Sequence, residues 1–242
     1  FGSRRFCFTT LDSRRRLSHP PHLRLPWLLE LGMESAPVQW FRDLPCVTRA
    51  WAAAVVATTT LVSLHLLRPS LIVFYMPIIT GRLQVWRLFT NVLLVGPFGF
   101  HFLGLLALLV SFSAKLERCK AFGEDWKRYL GFIVIQILLL DGISQVLFVT
   151  RTIAVPLLGE SLIAAVIWCW SRHEPDADLA ILSFSVKGRH FPVVLLALQL
   201  LVGIQVYSAL LGLVSAVVYE VACHLQGRSR ESGSPAACYV LV

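Results

Sequence analysis

An all-α integral membrane protein with six transmembrane helices is the fold class this sequence predicts, and three observations predict it. Of 242 residues, 56% are hydrophobic and 15% charged, with a mean hydropathy of +0.69. Soluble domains carry about a quarter charged residues. Apolar runs of membrane-crossing length recur between polar segments, and the last, Phe191 to Leu225, is long enough for two crossings. Finally, the stretch Gln84 to Gly99 is neither a good span nor an ordinary polar loop. Its Trp86-Arg87 pair sets an amphipathic indole beside a guanidinium, a combination suited to the headgroup boundary. Pro97, flanked by Gly96 and Gly99, then breaks the backbone.

The formal net charge of +8 raises the question of nucleic acid. The basic residues lie between apolar runs instead of in one patch with interleaved aromatics, so membrane orientation explains them and no nucleic-acid partner is expected. Cys7, Cys46, Cys119, Cys169, Cys223 and Cys238 show no C-x-x-C or histidine-paired spacing. Neither a disulfide framework nor a metal or other cofactor is expected.

Residues 1–32 are rich in arginine, include Pro20, Pro21 and Pro26, and are expected to be disordered. They read either as a transit-peptide-like segment or as a non-native extension ahead of Met33. The segment 34–49 is a short amphipathic lead-in, with Trp40 and Phe41 on one side and Arg42, Asp43 and Arg49 available to water. Ala50 to Leu67 is the first span; Thr58, Thr59 and Thr60 within it can return their hydroxyls to carbonyls one turn earlier. The connection 70–97 is apolar but interrupted by Tyr75, Pro77, Gly81, Arg82, Arg87, Asn91 and Pro97, which fits a re-entrant or amphipathic loop.

The second span covers about Phe98 to Ala114, followed by a charged loop. The third runs from about Tyr129 to Val149 and the fourth from about Thr152 to Ser171, with Arg151 marking a short connection and hence a helical hairpin. Residues 172–190 form a mixed polar loop. The 35 apolar residues from Phe191 to Leu225 would make a helix of about 52 Å, too long for one crossing. A break near Gly203 to Gln205 gives a short fifth span and a sixth from about Val206 to Leu225. The six-span domain is 33–226, and 227–242 is a flexible tail. With six spans, 18 Lys and Arg fall on the side of the termini and 4 on the other, or 12 against 4 without residues 1–32. Both termini are therefore expected in the cytosol.

The segment Gln84-Val85-Trp86-Arg87-Leu88-Phe89-Thr90-Asn91, followed by Gly96-Pro97-Phe98-Gly99-Phe100, resembles the derlins, proteolytically inactive members of the rhomboid-like superfamily. The resemblance extends over about Met33 to Gln226. It includes Leu44-Pro45 with Val47-Thr48-Arg49-Ala50, Leu116-Glu117, Leu158-Gly159 and Trp170-Ser171-Arg172. It implies a rhomboid-like fold in which Trp86, Arg87 and Asn91 are the family motif of the first loop. Gly212 and Ala216 occupy its helix-packing motif in the sixth span, usually G-x-x-x-G; both keep a small side chain for close backbone approach.

Active rhomboids use a serine in a G-x-S-G turn, a histidine base on the sixth span, and a histidine with an asparagine four positions later on the second. Here Gly159-Glu160-Ser161-Leu162 keeps the serine but loses the second glycine, His101 keeps the histidine, and Leu105 replaces the asparagine. The base position is Ala209. A serine without a base in reach is a poor nucleophile, so Ser161 and His101 read as vestigial, no catalytic residue is assigned, and Ser161 is expected to be satisfied by its own helix. His224, twelve residues beyond Gly212, lies about 18 Å along the helix and cannot substitute. Asp141 and Glu160 stand out as intramembrane acids, each facing a cavity or satisfied at an interface.

The resemblance further implies a role in the endoplasmic reticulum membrane, helping misfolded proteins reach the cytosol for degradation through local thinning of the bilayer. Its implied partners are a membrane ubiquitin ligase complex, an AAA ATPase, misfolded clients, the lipid bilayer, and further copies or relatives in a homo- or hetero-oligomer. The tail QGRSRESGSPAACYVLV shows no copy of the family's ATPase-recruiting motif, which leaves direct recruitment in doubt and points to an adaptor or partner subunit. The alternative function is an active intramembrane serine protease using Ser161. A small transporter built around Asp141 and Glu160 ranks last, because no paired inverted repeat is visible.

Overall fold

The computed structural model describes residues 36–72, 84, 86–119, 122, 125–150, 157–181, 184–203 and 205–228. The extension 1–32, residues 73–83 and 85 of the expected re-entrant stretch, the connection around Arg151 and most of the tail lie outside the described residues. The chain divides into units 1–40 and 41–242. A short helix α1 (Ala36–Arg42) bridges that boundary in sequence, and the second unit carries everything that follows.

That unit is helical: α2 (Cys46–Ser63), a single turn α3 (Arg87–Thr90), α4 (Phe100–Glu117), α5 (Trp126–Val149), α6 (Gly159–His173), α7 (Phe191–Val202) and α8 (Tyr207–Arg228). Four of these, α2, α4, α5 and α8, are long and apolar enough to cross a membrane. Four of the six predicted spans match these long helices, the first beginning and ending four residues earlier than expected; the predicted fourth and fifth coincide with the shorter α6, which begins at Gly159, and α7. In α2 the hydroxyls of Thr58 and Thr60 do donate to the carbonyls of Ala54 and Val56, each at 2.7 Å, while Thr59 Oγ1 is buried without a partner. The predicted break between the last two spans is Gly203, whose left-handed backbone (φ 79°) ends α7.

The polar segment after α6 is more ordered than a loop. It forms an antiparallel hairpin of β1 (Asp178–Ile181) and β2 (Phe184–Lys187), with Asp178 opposite Lys187 and Ile181 opposite Phe184. The hairpin is tied down at Gly188, whose N–H donates to Ala177 at 2.8 Å, and a Cβ at Gly188 would collide with the carbonyl oxygen of Glu174.

α6 is the centre of the unit. Most of its side chains are buried, and it packs against α4, α5, α7 and α8. An aromatic cluster fills the core beside it: Phe112 lies 4.8 Å from both Trp170 and Phe191, and Phe132 lies 5.3 Å from Tyr219. Lys115 places its ammonium over the Trp170 ring at 5.0 Å. By contrast, Leu61, Leu103, Val146 and Val221 on the outer helices are exposed, the apolar exterior that a lipid environment accommodates.

Candidate functional site

The first-loop motif acts through three differently placed side chains. Trp86 is 55% exposed, whereas Arg87 is 4% exposed and Asn91 fully buried. The indole and guanidinium expected to share the headgroup boundary are therefore separated. Arg87 opens the α3 turn, so successive side chains diverge by about 100°. Arg87 Nε donates to Gln84 Oε1 at 2.7 Å, which fastens the turn internally. Asn91 Nδ2 donates to Asp141 Oδ1 of α5 at 2.7 Å, and Asn91 O accepts the N–H of Leu158 just before α6. A Cβ on Gly159 would lie 2.9 to 3.0 Å from Val92 O and Leu94 O, so the start of α6 rests directly on the loop backbone. One oxygen of Asp141 is thus held by the loop motif, while Oδ2 is buried without a partner.

Two further polar clusters fix the other helices. Glu117 of α4 accepts the N–H groups of Val47 and Thr48, at 3.0 and 2.9 Å, and the Thr48 hydroxyl at 2.8 Å. It supplies from another helix the negative cap that the N-terminus of α2 lacks locally. Ser113 bridges Thr48 to the phenol of Tyr129. At the C-terminal end of α6, Arg172 Nε donates to Glu220 Oε1 of α8 at 3.0 Å, Trp168 Nε1 approaches Glu220 Oε2 at 3.5 Å, and His224 lies 4.0 Å from the same carboxylate. His224 belongs to this cluster at the C-terminal end of α6, whereas Ser161 stands in its first turn.

α6 and α8 approach most closely at the small residues of the sixth span. A Cβ added to Gly212 would collide with the carbonyl oxygen of Ser161 and lie 2.9 Å from the Ala164 methyl. Ala216, one turn on, is buried. Ser215 between them donates to Gln136 of α5 at 3.1 Å and to Gly212 O at 2.8 Å. The expected packing notch is present.

Beside it is a cavity of about 480 Å³ among α4, α6, α7 and α8. His101, Leu105 and Ala209 line it together with Glu160, while Ser161, the serine position, is not part of its wall. What they present there is mostly apolar, because Leu105 and Ala209 stand where an asparagine and a histidine would act. Ser161 Oγ is buried with no hydrogen-bond partner. The expectation that its own helix satisfies it is corrected: Ser161 stands in the first turn of α6, which begins only at Gly159, so no helical turn precedes it to present a carbonyl in the usual back-bonding position. Glu160 is satisfied from neighbouring helices, with Gln199 Nε2 of α7 at 2.9 Å and Ser208 Oγ of α8 at 2.6 Å. Sequence reading missed Gln199 and Ser208; the signal for Gln199 was a lone amide in an otherwise apolar run.

Comparison with known proteins agrees with this arrangement. Residues 44–232 match the sequence model of the Der1-like family. Derlin-1.2 of Zea mays is 28% identical over 189 residues, covering 76% of this chain and 74% of the relative. The probable derlin-2 homolog of Dictyostelium discoideum is 30% identical over 182 residues, covering 74% and 71%. An uncharacterised derlin-like protein of Schizosaccharomyces pombe is 33% identical over 161 residues, covering 66% and 69%.

Proposed function

This chain belongs to the Der1-like family, and from that premise we propose that it is a non-catalytic component of endoplasmic-reticulum-associated degradation that assists retrotranslocation of misfolded proteins by thinning the membrane around it. The carrying observation is the length of α6, around which the others pack, and of α7 beside it. α6 has 15 residues and α7 has 12, about 22 and 18 Å at helical rise, against a hydrocarbon core of about 30 Å. On this reading they join the four long helices as a fifth and a sixth span, both too short for an undeformed bilayer. Lipid beside such helices thins or tilts to match them, and a polar segment then crosses less hydrocarbon.

The site supports a non-hydrolytic reading. Ala209 stands at the base position, and among the described residues the buried Ser161 hydroxyl has no partner to take its proton. On this reading both termini face the cytosol, and Trp86 meets the lumenal boundary as part of a re-entrant loop. Clients are passed to a membrane ubiquitin ligase complex and an AAA ATPase reached through an adaptor.

Thickness mapping of lipid nanodiscs holding the purified protein tests the physical step. The bilayer is expected to be thinnest beside α6 and α7; a bilayer of uniform thickness around the protein would contradict the mechanism.

A further inference from the structure

The cavity beside α6 holds one acidic side chain, Glu160, in a largely apolar wall that also includes His101. Glu160 receives two hydrogen bonds, from Gln199 Nε2 and Ser208 Oγ, both neutral donors. Among the described residues no Lys or Arg pairs with it. Gln199, also on the cavity wall, keeps a buried carbonyl oxygen, Oε1, with no donor. Around these acceptors the wall is formed by side chains such as Leu105, Ile163, Leu195 and Leu213. A carboxylate in an apolar recess favours an ion-pairing, donor-rich group delivered on an apolar carrier. A hydrated inorganic cation would lose its water without gaining a full shell of ligands. The amine of a zwitterionic lipid would bring its own phosphate towards Glu160, which a lysine side chain does not.

We propose that this cavity binds an apolar, membrane-embedded client segment carrying a basic residue, with Glu160 as the counter-ion and Gln199 Oε1 as a second acceptor. The proposal rests on the degradation reading above and names the class of segment that reading leaves open. Such a segment is disfavoured in bare hydrocarbon because of its charge. The cavity offers it an apolar wall together with one carboxylate.

The test uses the purified full chain in phosphatidylcholine nanodiscs with apolar peptides of about 20 residues, enough for one crossing. Each peptide carries photo-leucine beside a central lysine, acetyl-lysine or leucine, and cross-links are located by mass spectrometry. The lysine peptide is expected to cross-link to cavity-wall residues about tenfold more than the other two, the scale of one well-placed charge contact. Glu160→Gln should remove the preference and Leu61→Ala, on the exposed face of α2 and away from the cavity, should retain it. If Glu160→Gln does not fold, the comparison of the three peptides on the unaltered chain decides alone. Equal capture of the three peptides, cross-links outside the cavity, or displacement of the lysine peptide by added phosphatidylethanolamine would overturn the proposal. A failure of the degradation reading shows separately, as a misfolded reporter whose lifetime does not depend on this protein.

Discussion

Asn91 and Asp141 lie 50 residues apart and meet through a 2.7 Å hydrogen bond between fully and almost fully buried side chains. That bond joins the first loop to α5, while the backbone of Asn91 holds the residue before α6. The other carboxylate oxygen, Asp141 Oδ2, is buried with no partner, so the amide is the group that satisfies this acid. Replacing Asn91 by Ala should therefore destabilise the fold by about 2–4 kcal/mol, the range for stripping a partner from a buried charged group. Replacing both residues by Leu should recover much of that loss. Thermal unfolding of the purified variants checks it: a double variant no more stable than Asn91→Ala would show that the pair matters for more than mutual satisfaction.

Gly212 is the position least able to accept a side chain, because its Cα faces the carbonyl oxygen of Ser161. Gly212→Val should force α6 and α8 apart and cost at least about 1–3 kcal/mol, the range for overpacking. Ala216→Gly, which restores the glycine usual at that position among relatives, should keep the fold. The comparison is read from thermal unfolding in detergent, and a Gly212→Val protein with an unchanged midpoint would contradict the close approach.

Glu117 supplies both carboxylate oxygens to the N-terminus of α2. Its replacement by Ala should leave the N–H groups of Val47 and Thr48 unpaired, at about 1–3 kcal/mol, and raise hydrogen exchange in the first turn of α2 ahead of the rest of the helix. Uniform exchange along α2 in the variant would mean that this carboxylate does not hold the helix end.

The outline of the fold was legible in the sequence because apolar length and helix breakers act locally. The Phe191–Leu225 run had to be divided, and Gly203, which takes the left-handed conformation, marks the division. The hairpin between α6 and α7 was not legible: its strands have four residues each, too few to establish an alternation. The motif residues were recognisable, but their separate roles were not. Arg87 and Trp86 look like a pair in a string of letters, and only the turn that begins there sends one inward and leaves the other outside. Likewise, no local pattern reveals that Glu117 serves Thr48 or that Glu160 draws on Gln199 and Ser208, since these partners lie 69, 39 and 48 residues away.

The exposure of Trp86 makes the central claim testable without confusing function with folding, because a 55% exposed side chain can be removed at little cost to the fold. The decisive measurement is a chase of a misfolded lumenal reporter in cells lacking this protein, with the unaltered chain, Trp86→Ala or Ser161→Ala restored at equal membrane levels. Degradation is expected to return with the unaltered chain and with Ser161→Ala, and to remain impaired with Trp86→Ala. A reporter that stays stable when a properly folded Ser161→Ala chain is present would contradict the non-catalytic account and reinstate Ser161 as a nucleophile.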